Sequence, residues 1–175
     1  FPIGKEDIYP LTHNCRNTTE IHNLAYKFYK GERVNPPNNP GVEIRHVKDS
    51  SLQGQAKKIA NQISNIIVTE KVSPKDISVL FLFSRGNNHK SDLLISETLP
   101  DPYNWIVKRF QDNNQVLIDT VKRYKGLESE IVFLWGIDEI DLYPIEDLLY
   151  VGITRAKSIL YLVGSNESCA KIHAM

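Results

Sequence analysis

The amino-acid sequence predicts an α/β fold in which helices flank a parallel sheet, and three observations lead to this prediction. Residues 77–83 form an apolar run interrupted only by Ser78, as expected for a strand that is buried on both faces of a parallel sheet. Apolar residues recur at helical spacing in residues 52–67, and helical and strand patterns alternate along the chain. With 175 residues, of which 41% are hydrophobic, the chain suffices for one such domain, spanning residues 1–175.

The amino-terminal part is predicted to contain a helix, a turn and a strand. Asn17 belongs to the residue types that cap helices, and Glu20 lies three positions after it. Apolar residues recur at helical spacing in residues 21–28, and the Pro- and Asn-rich stretch 35–41 ends that helix. Residues 42–47 then alternate between apolar and polar side chains, which indicates a half-buried strand.

The rest of the chain alternates between helices and strands in the same manner. The long helix of residues 52–67 is amphipathic, and Pro74 separates it from the apolar strand 77–83. The polar stretch 84–114 is predicted to form one or two short helices and loops. Three further strands are predicted at Val116–Thr120, Ile131–Trp135 and Ile159–Val163. In a parallel sheet of this kind, we expect ligands at the carboxyl ends of the strands.

Composition narrows the classes of function. The formal net charge is +0, so any contact with nucleic acid must come from a local basic patch. Cys15 and Cys169 lie far apart without a CxxC spacing, which argues against a metal site and favours a reducing, cytoplasmic setting. No apolar run has the length of a membrane span, so no membrane is expected among the partners. Because the chain begins with Phe1, we expect it to be a piece of a longer protein.

Residues 148–157 carry the most informative charge in the chain. Arg155 lies in an apolar segment that is followed at once by a predicted strand. A guanidinium is costly to bury unless an anion meets it, so we expect a negatively charged group at Arg155. The alternative is a structural ion pair with a carboxylate such as Glu146 or Asp147.

A basic turn follows the strand at residues 116–120. Backbone N–H groups and cations at the end of a parallel strand can meet phosphates, and glycine allows close approach of the backbone. The alternative is a solvated basic turn with a glycine cap. The residues concerned are Thr120, Lys122, Arg123, Lys125, Gly126 and Glu128.

Arg16 is the third candidate. It lies just before the first predicted helix, where the helix dipole disfavours a cation, so a bound anion would explain it. The alternative is an ordinary surface arginine.

Three motifs in order resemble those of superfamily 1 DNA helicases of the UvrD/Rep/PcrA type. Residues 11–19 resemble motif IV of that family, L-x-x-N-Y-R-S-T. Residues 119–128 resemble motif V, T-V-H-x-x-K-G-L-E, and residues 148–157 resemble motif VI, L-x-Y-V-A-x-T-R-A-K. Residues 76–81 resemble the strand that precedes the family's accessory insertion, so the resemblance spans nearly the whole chain.

The resemblance implies a RecA-like sheet, specifically the second RecA-like domain (2A), which binds ATP in a cleft shared with an N-terminal P-loop helicase domain. Arg16 and Arg155 would then act as arginine fingers at the γ-phosphate, and Mg²⁺ would be held by the N-terminal domain. Glu128, together with Gly126 and Lys125, would contact the nucleotide, with Glu128 at the ribose. Single-stranded DNA would be bound by Thr120, Lys122 and Arg123.

The sequence also departs from the family pattern. Cys15 replaces the motif IV tyrosine that stacks on adenine, Lys122 replaces the motif V histidine, and Gly152 replaces the motif VI alanine. Residues 84–115 are far too few for the large 2B insertion of typical members, so we expect this short segment in its place.

The sequence contains no phosphate-binding loop of the form G-x-x-x-x-G-K-[ST]. The leading hypothesis is therefore the C-terminal half of an ATP-dependent DNA helicase whose isolated chain does not hydrolyse ATP. A second hypothesis is a catalytically inactive helicase-like module that binds nucleic acid or protein, motivated by Cys15 and Lys122. A third is an unrelated α/β nucleotide-binding domain with structural arginines.

Overall fold

A computed structural model of the chain describes residues 13–32, 34–83, 87–107, 112–142 and 145–175. The strands are β1 (Arg45–Lys48), β2 (Ile77–Phe81), β3 (Asn104–Ile106), β4 (Gln115–Thr120), β5 (Ser129–Trp135) and β6 (Ala156–Gly164). The α-helices are α1 (Thr19–Tyr26), α2 (Leu52–Val68), α3 (Asn87–Ser96), α4 (Glu146–Ile153) and α5 (Asn166–Ala174). Within these described residues, short 3₁₀ helices lie at Pro74–Asp76 and Ile137–Leu142.

The six strands form one sheet in the order β1-β6-β5-β2-β4-β3, and every neighbouring pair is parallel. This confirms the predicted α/β fold with a parallel sheet flanked by helices. Side chains alternate between the two faces along each central strand: in β5, Val132 and Leu134 face one side, while Ile131, Phe133 and Trp135 face the other. Helices α1, α4 and α5 cover the first face, and α2 and α3 cover the second.

Because all strands run in the same direction, the sheet has an amino edge, where strands begin, and a carboxyl edge, where they end. Thr120 pairs with Phe81, and Phe81 pairs with Trp135, so these three residues mark the carboxyl edge. Ser129 pairs with Ala156 at the amino edge. Trp135 lies six residue steps along β5 from Ser129, which places the two edges roughly 20 Å apart at 3.3 Å per residue.

Three predicted elements differ in detail. Thr18, not Asn17, is the N-cap of α1, because the Asn17 side chain is directed to the backbone of β6 instead of to the helix. The first strand begins at Arg45 and not at residue 42. The three-residue strand β3 lies in the stretch predicted as helices and loops, since pairing with β4 stabilises it where its own short sequence carries no strand pattern. In the described part of the chain, no helix combines the length and apolar character needed to cross a bilayer.

Candidate functional site

An open cavity of about 630 Å³ lies at the amino edge of the sheet. The charged side chains of Arg16, Glu128 and Arg155 line it, together with Cys15 and the rings of Tyr26 and Tyr150. We call this the amino-edge cavity. It brings together three of the residues that the sequence singled out, from three separate segments.

The topology explains why these residues meet. Glu128 directly precedes β5 and Arg155 directly precedes β6, and the two strands are neighbours in the sheet. The Ser129 N–H donates to the Arg155 carbonyl at 3.1 Å, which joins the two strand starts. Glu128 and Arg155 therefore lie at the amino edge, and not at the carboxyl edge where we expect ligands, because a residue that precedes a parallel strand lies at the amino edge.

Arg16 reaches the cavity through the segment before α1. The Thr18 N–H donates to the Lys157 carbonyl at 3.1 Å. The buried Asn17 amide donates to the Thr154 carbonyl at 3.2 Å and to the Ala156 carbonyl at 2.6 Å. These bonds attach the start of α1 to the start of β6. Leu11 and Thr12 of the motif IV resemblance lie outside the described residues.

Arg16 forms an ion pair with Glu128. The Arg16 Nε lies 2.9 Å from Glu128 Oε2, and the two side chains are 49% and 41% exposed. An ion pair this exposed contributes little to stability. In this structure, the anion beside Arg16 is thus a carboxylate of the chain itself.

The Arg155 guanidinium is half-buried and lies against backbone carbonyls. Its Nε donates to the Val151 carbonyl at 3.0 Å and its Nη1 to the Leu127 carbonyl at 3.0 Å. The alternative ion pair with Glu146 is not formed, because Glu146 pairs with Lys30 at 2.6 Å. Among the described residues, no carboxylate lies within ion-pair distance of Arg155.

The electrostatics of the amino-edge cavity follow from this arrangement. Burial lowers the pKa of Arg155, the Arg16 guanidinium lowers it further, and Glu128 acts in the opposite direction. Arginine nonetheless remains protonated at neutral pH. Lys157 also lines the cavity and pairs with Glu130, so the two guanidiniums and the Glu128 carboxylate leave an excess of positive charge, which favours a compact anion with more than one negative charge.

Aromatic residues line part of the amino-edge cavity, through Tyr26 and Tyr150, and Tyr29 packs against Tyr150. The ring centroids of Tyr29 and Tyr150 are 4.7 Å apart, and those of Tyr26 and Tyr150 are 6.3 Å apart. Burial raises the pKa of Tyr150, so its phenol is neutral at physiological pH. Cys15 is exposed and carries no ring. Tyr26 and Tyr150 are not among the site residues predicted from the sequence, although Tyr150 lies within the motif that contains Arg155.

The basic turn, residues 121–126, follows β4 at the carboxyl edge. Lys122 is exposed, whereas Thr120 is only 8% exposed and its Oγ1 accepts a hydrogen bond from the Arg123 N–H at 3.2 Å. The Arg123 Nε lies 2.6 Å from the buried Asp119 carboxylate. Arg123 is thereby held in place, while Lys122 extends into solvent.

Lys125 and Gly126 lie between the two edges. Lys125 is exposed, and Gly126 has φ +91°, a left-handed conformation that ends the helical turn and that glycine adopts without strain. The chain then descends to Glu128 at the amino edge. The predicted site residues therefore fall into two groups on opposite edges of the sheet, with Lys125 and Gly126 on the segment that connects them.

Comparison with known proteins agrees with part of this picture. Residues 115–163 match the UvrD-like helicase C-terminal domain family, a range that includes the basic turn, Glu128 and Arg155 but not Arg16. No curated protein sequence is significantly similar to the chain.

Among solved structures, the chain is similar to the C-terminal domain of a possible DNA helicase from Lactobacillus plantarum WCFS1. The TM-score is 0.64 at 17% sequence identity, and the match covers 86% of each chain. At this identity, the likeness establishes a shared fold.

Proposed function

We propose that this chain is the C-terminal RecA-like (2A) domain of an ATP-dependent DNA helicase of superfamily 1. In this proposal, Arg16 and Arg155 act as arginine fingers on ATP bound by an N-terminal P-loop domain of the same polypeptide, which also holds Mg²⁺. The observation that carries the proposal is the convergence of two guanidiniums, from opposite ends of the chain, in one open cavity.

The amino-edge cavity supports a specific role for each charged group. A γ-phosphate that reaches the cavity displaces Glu128 from Arg16, because a phosphate carries more charge than a carboxylate and accepts two parallel N–H bonds from a guanidinium. Glu128 is then available to accept a hydrogen bond from a ribose hydroxyl, with Lys125 and Gly126 on the adjoining segment. Arg155, held against two carbonyls, meets the phosphate without reorganisation.

The basic turn supports a second role, contact with single-stranded DNA. Lys122 and Arg123 are exposed cations suited to phosphates, and Thr120 orders the turn through its hydroxyl. In place of the 2B insertion, the described parts of residues 84–115 contribute α3, β3 and the first residue of β4. A cytoplasmic protein acting on DNA agrees with the two unpaired cysteines.

The test compares ATP hydrolysis by the isolated chain and by the chain joined to its N-terminal domain. We expect negligible hydrolysis by the chain alone and DNA-stimulated hydrolysis by the joined protein. Arg155→Ala should lower kcat of the joined protein by about a thousandfold, the usual contribution of an arginine finger. Lys57→Ala, which removes an exposed cation from α2, is the matched control and should leave kcat unchanged. Equal hydrolysis by the Arg155→Ala protein and the unmodified protein would refute the finger assignment.

A second candidate function is a catalytically inactive module that binds nucleic acid or protein. It is favoured by Cys15, which offers no ring for stacking at its position in the cavity, and by a basic turn that needs no second domain. The amino-acid sequence upstream of Phe1 distinguishes the helicase from the inactive module. An intact P-loop there supports the enzyme, and a P-loop that lacks its motif residues supports the module.

A further inference from the structure

Three hydroxyl groups meet in the core beneath the basic turn. Ser78 on β2, Tyr124 in the turn and Ser129 on β5 are each at most 5% exposed. The Tyr124 and Ser129 oxygens are 2.6 Å apart, the Ser78 and Ser129 oxygens 2.6 Å, and the Ser78 and Tyr124 oxygens 3.3 Å. We call this arrangement the hydroxyl triad.

The hydroxyl triad does more than fill volume in the core, because it also constrains the elements that it connects. Burying a hydroxyl is costly unless it is hydrogen-bonded, and three apolar side chains could occupy the same volume without that cost. In a closed ring of three hydroxyls, each oxygen can donate one bond and accept another. Such a buried polar network favours one arrangement of the elements that it connects.

Two sets of hydrogen bonds connect residues of the hydroxyl triad to Arg155. Ser129 donates its backbone N–H to the Arg155 carbonyl at 3.1 Å. Tyr124 accepts the Leu127 N–H at its carbonyl at 3.1 Å, and the Leu127 carbonyl accepts the Arg155 Nη1 at 3.0 Å. Glu128 lies between Leu127 and Ser129, so both ends of its backbone are held by the same connections.

Tyr124 also belongs to the carboxyl-edge group. Its N–H donates to the Thr120 carbonyl at 2.9 Å, and it lies between Arg123 and Lys125 in the basic turn. The Tyr124 ring therefore extends from a turn that carries exposed cations to the first residue of β5. It is a side-chain connection between the two groups of candidate residues.

We infer that Tyr124 is a positioning residue. Through the hydroxyl triad it holds Glu128 and the Arg155 guanidinium in place in the amino-edge cavity, at a fixed position relative to the basic turn. The catalytic meaning of this role rests on the proposed function. That Tyr124 positions the Arg155 guanidinium does not depend on the proposed function and can be tested on the 175-residue chain.

The experiment compares Tyr124→Phe with Tyr161→Phe. Tyr161 is an equally buried tyrosine on the opposite face of the sheet, and its hydroxyl accepts hydrogen bonds from Arg45 and Gln62 at 2.7 and 3.2 Å. Each substitution removes one buried hydroxyl and retains the ring. The hydrogen-exchange rate of the Arg155 Nε–H, measured by NMR, reports on the position of the guanidinium, and denaturant unfolding reports on global stability.

We expect both variants to lose a similar amount of stability, but only Tyr124→Phe to accelerate Arg155 Nε–H exchange. The expected acceleration is about tenfold, as one hydrogen bond of ordinary strength would produce in a local opening equilibrium. Ser129→Ala should give the same acceleration, and the double variant should not exceed the larger single effect, because both hydroxyls belong to one network.

An unchanged Arg155 exchange rate in Tyr124→Phe, or an equal acceleration in Tyr161→Phe, overturns the inference. If Tyr124→Phe fails to fold, Ser129→Ala decides the question by the same measurement. Since no nucleotide or second domain is involved, a failed hydrolysis test of the proposed function and a failed exchange test remain distinguishable.

Discussion

The two edges of the sheet present their charges in different ways. At the amino edge, Arg16 pairs with Glu128, and Arg155 lies half-buried against carbonyls at a cavity. At the carboxyl edge, Lys122 extends from a turn into solvent, and Arg123 beside it is exposed although its Nε pairs with Asp119. Paired, oriented charges in a concave site suit a compact anion whose position matters, whereas exposed cations suit a flexible phosphate backbone.

The connection between the edges is as informative as their difference. Residues 121–128 return the chain from the end of β4 to the start of β5, over a distance that parallel strands usually span with a longer helix. Because the return is short, the basic turn and Glu128 belong to one continuous segment. Of the amino-edge residues, Glu128 is therefore separate from the basic turn in space but close to it in sequence.

The largest expected effect tests whether the amino-edge cavity is open. Cys15 lies exposed in the cavity, whereas Cys169 is buried and burial raises its pKa to about 11. At pH 8 about one Cys169 in a thousand is then a thiolate, the species that reacts with alkylating agents. We expect iodoacetamide to modify Cys15 at least about a hundredfold faster than Cys169, as measured by mass spectrometry of peptides.

Cys15→Ser is the control for this experiment and should abolish the fast phase of modification. If Cys15 reacts as slowly as Cys169 in the folded chain, the amino-edge cavity is closed to solvent. The contrast between an open cavity at the amino edge and an exposed turn at the carboxyl edge would then be wrong.

A prediction of intermediate size compares how much hydrogen bonds at the two edges contribute to the free energy of unfolding. Asn17→Ala removes a buried amide that donates to two carbonyls at the start of β6, so it should lower the free energy of unfolding by about 1–3 kcal/mol. Thr120→Ala removes one hydroxyl that accepts from the Arg123 N–H at the carboxyl edge, and should cost about 0.5–1 kcal/mol. Denaturant unfolding measures both. A larger loss for Thr120→Ala would mean that the hydrogen bond at the carboxyl edge contributes more to stability than those at the amino edge.

The smallest effect tests the carboxyl edge as a contact for single-stranded DNA. Lys122→Ala should reduce the slope of log K against log salt by about 0.7, the value for one phosphate contact on a single strand. Fluorescence anisotropy of a labelled oligonucleotide at several salt concentrations gives this slope. Lys57→Ala, on α2, should leave it unchanged. An equal change for both variants would mean that the turn attracts DNA only through net charge.

The sequence predicted most of the sheet because its central strands are buried on both faces. Such strands are apolar at nearly every position, as in Ile77–Phe81, where Ser78 is the one polar residue, and this pattern is visible without knowledge of their neighbours. The strand β3 has no such pattern, since its residues are partly exposed and pairing with β4 stabilises it. The cap of α1 was misassigned for a related reason, because Asn17 satisfies carbonyls that are distant in sequence.

By itself, the sequence determined which residues carry charge among apolar neighbours, notably Arg155, and in which order the strands occur. Only the tertiary structure decided where those charges point. The order of parallel strands in the sheet brought the starts of β5 and β6 together, so Glu128 and Arg155 meet at the amino edge while Lys122 lies at the other. Strand order and long-range hydrogen bonds depend on the packing of the whole chain, and no local pattern encodes them.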